Sequence, residues 1–192
     1  MTDSQRFYEK ISRLDDFTYL YYYLKLQLAP TRSCQKLGGL LNLSHTKKPL
    51  HKIFLNYRQD YEERLGLKSF ILRESPQGVL VYFFQEKCLE DRLQEGDCQD
   101  YLRRCGYENP ENIKETLEFL KSRFQGDCPH EVGLFLGYPL SDVEAFTNFG
   151  GKASSYKGYW CVYSNIPLAK KLFSQYDQSK EEIIHRVLLE QG

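Results

Sequence analysis

Two consecutive runs of β-forming residues sit in the middle of a chain that is otherwise periodic as helix. Lys68 to Arg73 and Val79 to Phe84 are rich in Phe, Ile, Leu, Val and Tyr, and Glu74-Ser75-Pro76-Gln77-Gly78 separates them. Two such runs across a short stretch holding Pro and Gly predict an antiparallel hairpin closed by a loop. An isolated hairpin is marginal in water and needs a third strand or a covering helix. The rest of the chain must therefore supply both. Leu40 to Leu43 reads as a short strand. Tyr156 to Ser164 alternates aromatic and small residues around Trp160 and reads as another, expected in the same sheet as the hairpin.

The helical segments carry ordinary start and stop signals. Asp3 to Arg13 is weakly amphipathic. Asp15-Asp16 caps a helix running to about Ala29, with Tyr19, Tyr21, Tyr22 and Tyr23 on several of its sides. After Pro49, the spacing of Leu50, Ile53, Phe54, Tyr57, Tyr61 and Leu65 predicts one helix ended by Gly66. Glu86 to Gln94 and Asp97 to Cys105 are short helices, and Ile113, Leu117, Leu120 and Phe124 form one apolar stripe. His130 to Leu136 is a short helix broken at Gly137-Tyr138-Pro139. Ser141 with Glu144 has the spacing of a capping box for the next helix. Pro167 to Tyr176 is helical, and Ser179-x-x-Glu182 caps a final helix. The expectation is an α+β fold forming one domain over residues 1–192, with helices packed on a small three- or four-stranded sheet that contains the hairpin.

Charge narrows the partners. The 26 Lys and Arg residues balance 26 Asp and Glu, which argues against a duplex nucleic acid or an anionic membrane surface. The balance is uneven along the chain. Residues 1–60 hold ten basic and five acidic side chains, so Arg32, Lys36, Lys47, Lys48 and Lys52 could face a small anionic ligand. The stretch Phe17 to Ala29 is too short to cross a bilayer and contains Lys25 and Gln27. The polar start of the chain has no signal-peptide pattern, so a cytoplasmic location is expected. Its six cysteines, Cys34, Cys88, Cys98, Cys105, Cys128 and Cys161, include no C-x-x-C pair, and all six are expected as free thiols with no metal site.

The residues that could carry chemistry concentrate in CPHEVGLFLGYPLSDVEAF. His130-Glu131 is not a zinc-protease motif, because Leu134 stands where the second His belongs. His130 can act as a general acid or base, with Glu131 or Asp142 orienting it. The alternative is a histidine that serves a tight turn. Cys128 precedes a proline and offers a thiol that could be a nucleophile or a haem ligand, or merely a small buried group. Tyr138 and Trp160 could wall a flat ligand such as a flavin or porphyrin, or simply pack. No glycine-rich phosphate loop and no G-x-S-x-G are present.

The same stretch resembles an uncharacterised family of small proteins from clostridia and other anaerobic Firmicutes, a domain of unknown function. That family's pattern is similar to PHEIGLFLGYPLEDV, followed by a glycine-rich turn and GYWKVY. The matching residues are Pro129, His130, Glu131, Gly133, Phe135, Leu136, Gly137, Tyr138, Pro139, Asp142 and Val143, then Gly158, Tyr159, Trp160, Val162 and Tyr163, with Ala169, Phe173 and Tyr176 continuing into the C-terminal helix. Near the N-terminus the family resembles APTLAGLKP. Ala29, Pro30, Thr31 and Lys36 match it, while Cys34 replaces a glycine and Leu37 a proline. The resemblance implies no reaction. It implies a leaning toward iron, haem or redox physiology through neighbouring ferrous-iron transport and flavodoxin genes.

Two functional readings follow. One is a binding protein for a small anionic or flat aromatic ligand, or for a redox protein partner, with Thr31, Arg32, Lys36, Tyr138, Asp142 and Trp160 as ligand-binding residues and the cofactor unknown. The other is a small enzyme in which His130 and Glu131 are catalytic and Lys36 or Arg32 holds an anionic substrate. Convergence of His130, Lys36 and Trp160 on one cleft would favour the enzyme.

Overall fold

The computed structural model describes residues 1–44 and 48–189. Its central strand is β3 (Gly78–Phe84), which pairs antiparallel on one side with β2 (Lys68–Ser75) and on the other with β1 (Gly38–Ser44). The hairpin forms as expected, but a tight two-residue turn, Pro76-Gln77, closes it in place of the expected loop, with Ser75 paired to Gly78; Leu41 and Ile71 both stand opposite Val81. A bulge between Ile71 and Arg73 inserts Leu72 into β2.

Both faces of β3 are covered, because its side chains alternate between two cores. Val79, Val81 and Phe83 pack with Leu43 against α2 (Asp16–Gln27), α4 (Leu50–Asn56) and α5 (Arg58–Leu65). Tyr82 and Phe84 pack on the other face with α6 (Glu86–Leu93), α7 (Gly96–Arg104), α8 (Ile113–Arg123), α9 (Val132–Phe135) and α10 (Leu140–Phe149). The buried Tyr82 hydroxyl donates to the Phe135 carbonyl at 2.7 Å, which fixes α9 over the sheet. A third cluster joins α1 (Asp3–Ser12) and α2 to the end of α11 (Ile166–Leu189) through Phe7, Ile11, Leu26, Ile183, Ile184 and Val187.

Trp160 is not in the hairpin's sheet. Tyr156–Lys157 and Cys161–Val162 form a separate two-stranded ribbon, β4 and β5, and Trp160 lies in the bend between them. The alternation that reads as one strand is a chain reversal, packed on the first half of α11 through Val162, Ala169, Phe173 and Tyr176. At Gly158 a Cβ would stand 2.2 Å from the Phe173 ring, so a side chain there would push the ribbon off the helix.

Other expectations are corrected by local packing. The helix expected from Pro49 to Gly66 breaks at Tyr57 into α4 and α5. The Ser179 signal starts no new helix, since α11 continues through it to Leu189. Ser141 and Glu144 form no capping box: Pro139 holds the N-cap position of α10, and Glu144 pairs with Arg104 at 2.6 Å. Cys34 and Cys88 are joined by a disulfide, against the expectation of six free thiols. The bridge ties the segment between α3 (Ala29–Arg32) and β1 to α6. The free cysteines are Cys98, Cys105, Cys128 and Cys161.

Candidate functional site

The stretch from Cys128 to Phe146 folds back on itself, and the ribbon closes it. α9 is a single turn, and Gly137, at φ 79°, supplies the left-handed residue that redirects the chain toward α10. The Gly137 N–H donates to the Leu134 carbonyl and the Tyr138 N–H to the Gly133 carbonyl, so the turn satisfies the end of α9.

Between α9, α10 and the ribbon lies a cavity of about 430 Å³. Val132, Val143, Phe146, Tyr138 and Trp160 supply its apolar walls, with Cys128, His130 and Cys161 also lining it. The volume is that of a small-molecule pocket, for which the usual range is roughly 300–1,000 Å³. Tyr138 and Trp160 stack with ring centroids 5.0 Å apart. The Tyr138 hydroxyl donates to the Tyr159 carbonyl at 3.0 Å, which fastens the ribbon to the turn. His130 is exposed, and its ring meets the edge of Phe146 at 5.1 Å.

The two carboxylates beside His130 are occupied elsewhere. Asp142 is buried and accepts from Trp160 Nε1 at 2.8 Å, from the Tyr163 and Ser164 N–H groups at 3.0 and 3.1 Å, and from Ser164 Oγ at 3.0 Å. Glu131 is buried and accepts from Arg123 Nε at 2.8 Å and the Tyr107 hydroxyl at 3.4 Å. That contact holds the Arg123 guanidinium above its ordinary range, and burial, with Glu131 beside it, pushes the Tyr107 phenol up. His130 makes no hydrogen bond to either acid among the described residues. Burial, reinforced by Glu131, raises the Cys128 thiol rather than lowering it, so nothing here activates it as a thiolate.

The N-terminal candidates divide. Thr31 is buried beneath β1, and its carbonyl accepts from Gln85. Arg32 donates from Nε to the Leu65 carbonyl at 3.0 Å and so caps α5. Neither reaches the cavity. Lys36 does not line it either, but its Nζ lies 5.8 Å from the centroid of Tyr138, a wall of the cavity. His130, Tyr138, Asp142 and Trp160 therefore share one cavity, and Lys36 touches it only through Tyr138. Lys47 lies outside the described residues. Phe146 and Cys161 were not singled out in the sequence as site residues, because a helix phenylalanine and a strand cysteine look like core.

Among the described residues, no three His, Cys, Asp or Glu groups come together as a metal site, and no helix is long and apolar enough to cross a membrane. The fold and the cavity define an α+β protein with a small apolar pocket under an aromatic ribbon. Residues 24–191 match the family described as protein of unknown function DUF3793, and the chain belongs to that family. Comparison with curated proteins and with solved structures gave no match.

Proposed function

We propose that the protein binds a small, flat, largely apolar molecule in the cavity between α9, α10 and the β4–β5 ribbon. The observation that carries this reading is the cavity itself: about 430 Å³, walled by Val132, Val143, Phe146 and the Tyr138–Trp160 stack, with the His130 imidazole beside it. Apolar walls supply affinity, and a few polar groups fix orientation. Binding is favoured over acid–base catalysis because His130 has no carboxylate to set its tautomer, both neighbouring acids being engaged elsewhere. Two thiols on the wall, Cys128 and Cys161, suit the redox leaning that the motif resemblance implies for an anaerobe. The balanced charge supports a role with small molecules or a redox protein partner rather than with nucleic acid or an anionic membrane.

The test is a titration of Trp160 fluorescence, the chain holding one tryptophan, with flavin mononucleotide, haemin and 2-naphthoate. At least one probe should change the emission saturably, and His130→Ala should weaken it several-fold without lowering the melting temperature. If no probe binds, or if His130→Ala and Val143→Phe leave binding intact, the proposal fails.

A further inference from the structure

Most polar groups on the cavity wall are already engaged, and the few that are not narrow the ligand. A carboxylate offers about four acceptor sites, and Asp142 receives the Trp160 indole, the Tyr163 and Ser164 N–H groups and the Ser164 hydroxyl. The Tyr138 hydroxyl donates to the Tyr159 carbonyl. The N–H groups of Val132, Gly133 and Val143 donate to the carbonyls of Pro129, His130 and Pro139. The His130 imidazole, at the edge of Phe146, has no hydrogen-bond or ion-pair partner among the described residues. A second basic group also neighbours Phe146. A Cβ on Gly151 would lie 3.6 Å from Cys161 Sγ and 3.9 Å from both Lys157 Nζ and the Phe146 ring. The Lys157 ammonium therefore stands beside two residues of the cavity wall, and among the described residues it too has no hydrogen-bond or ion-pair partner.

A cationic ligand meets no carboxylate with an open site here, because Asp142 is saturated and Glu131 is bonded to Arg123 and Tyr107. A phosphate is ordinarily cradled by free backbone N–H groups or an arginine fork, and those N–H groups of the wall are used. An apolar slot with two donors near one end matches a flat ring that carries a single carboxylate. Granted that the cavity binds a flat molecule, as proposed above, we propose that its ligand is an aromatic carboxylic acid. The ring lies against Val143 and Trp160, and the carboxylate reaches His130 and Lys157. Imidazole has an N–H to donate whether neutral or charged, and the ammonium donates as a point charge. Both groups are exposed, so solvent weakens their attraction for the acid. Their larger effect is selection: they fix the ring's orientation and repel a cationic analogue of the same shape.

The experiment titrates the full chain by calorimetry, at constant ionic strength, with three probes of one shape: 2-naphthoate, 2-naphthamide and 2-naphthylmethylammonium. Naphthoate should bind about tenfold tighter than the amide, as one charge-assisted hydrogen bond allows, and the ammonium should bind weakest. His130→Ala and Lys157→Met should each weaken naphthoate several-fold, leave naphthamide unchanged and keep the melting temperature. The double variant should bind acid and amide alike. An amide that binds wild type as tightly as the acid, or an ammonium that binds best, would overturn the acid assignment while leaving the cavity reading in place. A preference for the acid that survives in the double variant would overturn it too. Naphthoate binding that survives Val143→Phe, or no binding of any probe, would remove the cavity reading and the acid assignment together.

Discussion

The Trp160 indole donates to Asp142 at 2.8 Å, and this bond joins the ribbon to the first turn of α10. Asp142 also receives two backbone N–H groups and a hydroxyl from Tyr163 and Ser164. One carboxylate thus holds the segment that closes the cavity. It positions Trp160 on the wall of that cavity.

Asp142→Ala should therefore act on stability. It leaves the buried Trp160 indole N–H unpaired, while the Tyr163 and exposed Ser164 donors can turn to water. The expected loss is about 1.5–3 kcal/mol by denaturant unfolding, with the Trp160 emission shifted to the red. Asp142→Asn keeps an acceptor and should lose less. A loss below about 1 kcal/mol for the alanine variant would contradict this role.

The Glu131–Arg123 pair makes a parallel case on the other side of α9. Arg123→Ala removes a charge-assisted bond to a buried carboxylate and should cost about 1.5–3 kcal/mol. Binding of the fluorescence probes should persist in the folded fraction. Lost binding at unchanged stability would instead place Glu131 in a site.

Thiol titration separates the bridged cysteines from the rest. The denatured, unreduced protein should show four reactive thiols, Cys98, Cys105, Cys128 and Cys161, and reduction should expose Cys34 and Cys88. The bridge spans a sequence separation of 54 residues, and its loss in a Cys34→Ser, Cys88→Ser variant should cost ~2–4 kcal/mol. Six thiols before reduction would contradict the bridge.

Lys36 gives a pH dependence with a definite sign. Its folded pKa, about 8, lies below the ordinary 10.5 because burial and Lys180 disfavour the ammonium. Between those values the unfolded chain binds more protons, so this group makes stability rise with pH from about 8 to 10.5. Lys180, lowered by burial, adds the same sign, and Asp177 opposes that lowering. Tyr138, raised to about 12, lies beside Lys36, and Tyr159, also raised by burial, beside Lys180; both stay protonated across most of the window. Lys36→Met should flatten the rise and stabilise the protein at neutral pH. An unchanged slope would show that Lys36 is solvated.

The sheet and most helices could be read from the chain because their signals are local. The change of period at Lys68 and the breakers Pro76 and Gly78 announce the hairpin, though not that Pro76-Gln77 close it as a tight turn, and Leu40 to Leu43 marks the strand that completes the sheet. Trp160 reads as strand from sequence because alternating aromatic and small residues look the same in a strand and in a reversal. The contact that decides, Gly158 against Phe173, is tertiary. The break at Tyr57 has no glycine or proline to announce it, and the Cys34–Cys88 bridge has no diagnostic spacing. Within the motif, residue types predicted a surface but not the direction of each group. Glu131 and Asp142 are adjacent to His130 in sequence or in the fold, yet bond to Arg123 and Trp160.

In the proposed function, a small flat molecule enters the α9–α10 cavity. The most direct test is an isotope-filtered NOE spectrum of the full protein with whichever fluorescence probe binds most tightly. A ligand in the cavity gives cross-peaks from the probe's ring protons to the methyl groups of Val132 and Val143 and to the Trp160 ring. Cross-peaks only to groups outside the cavity, such as Tyr156 of β4 and Phe173 of α11, or none at saturating probe, would contradict it.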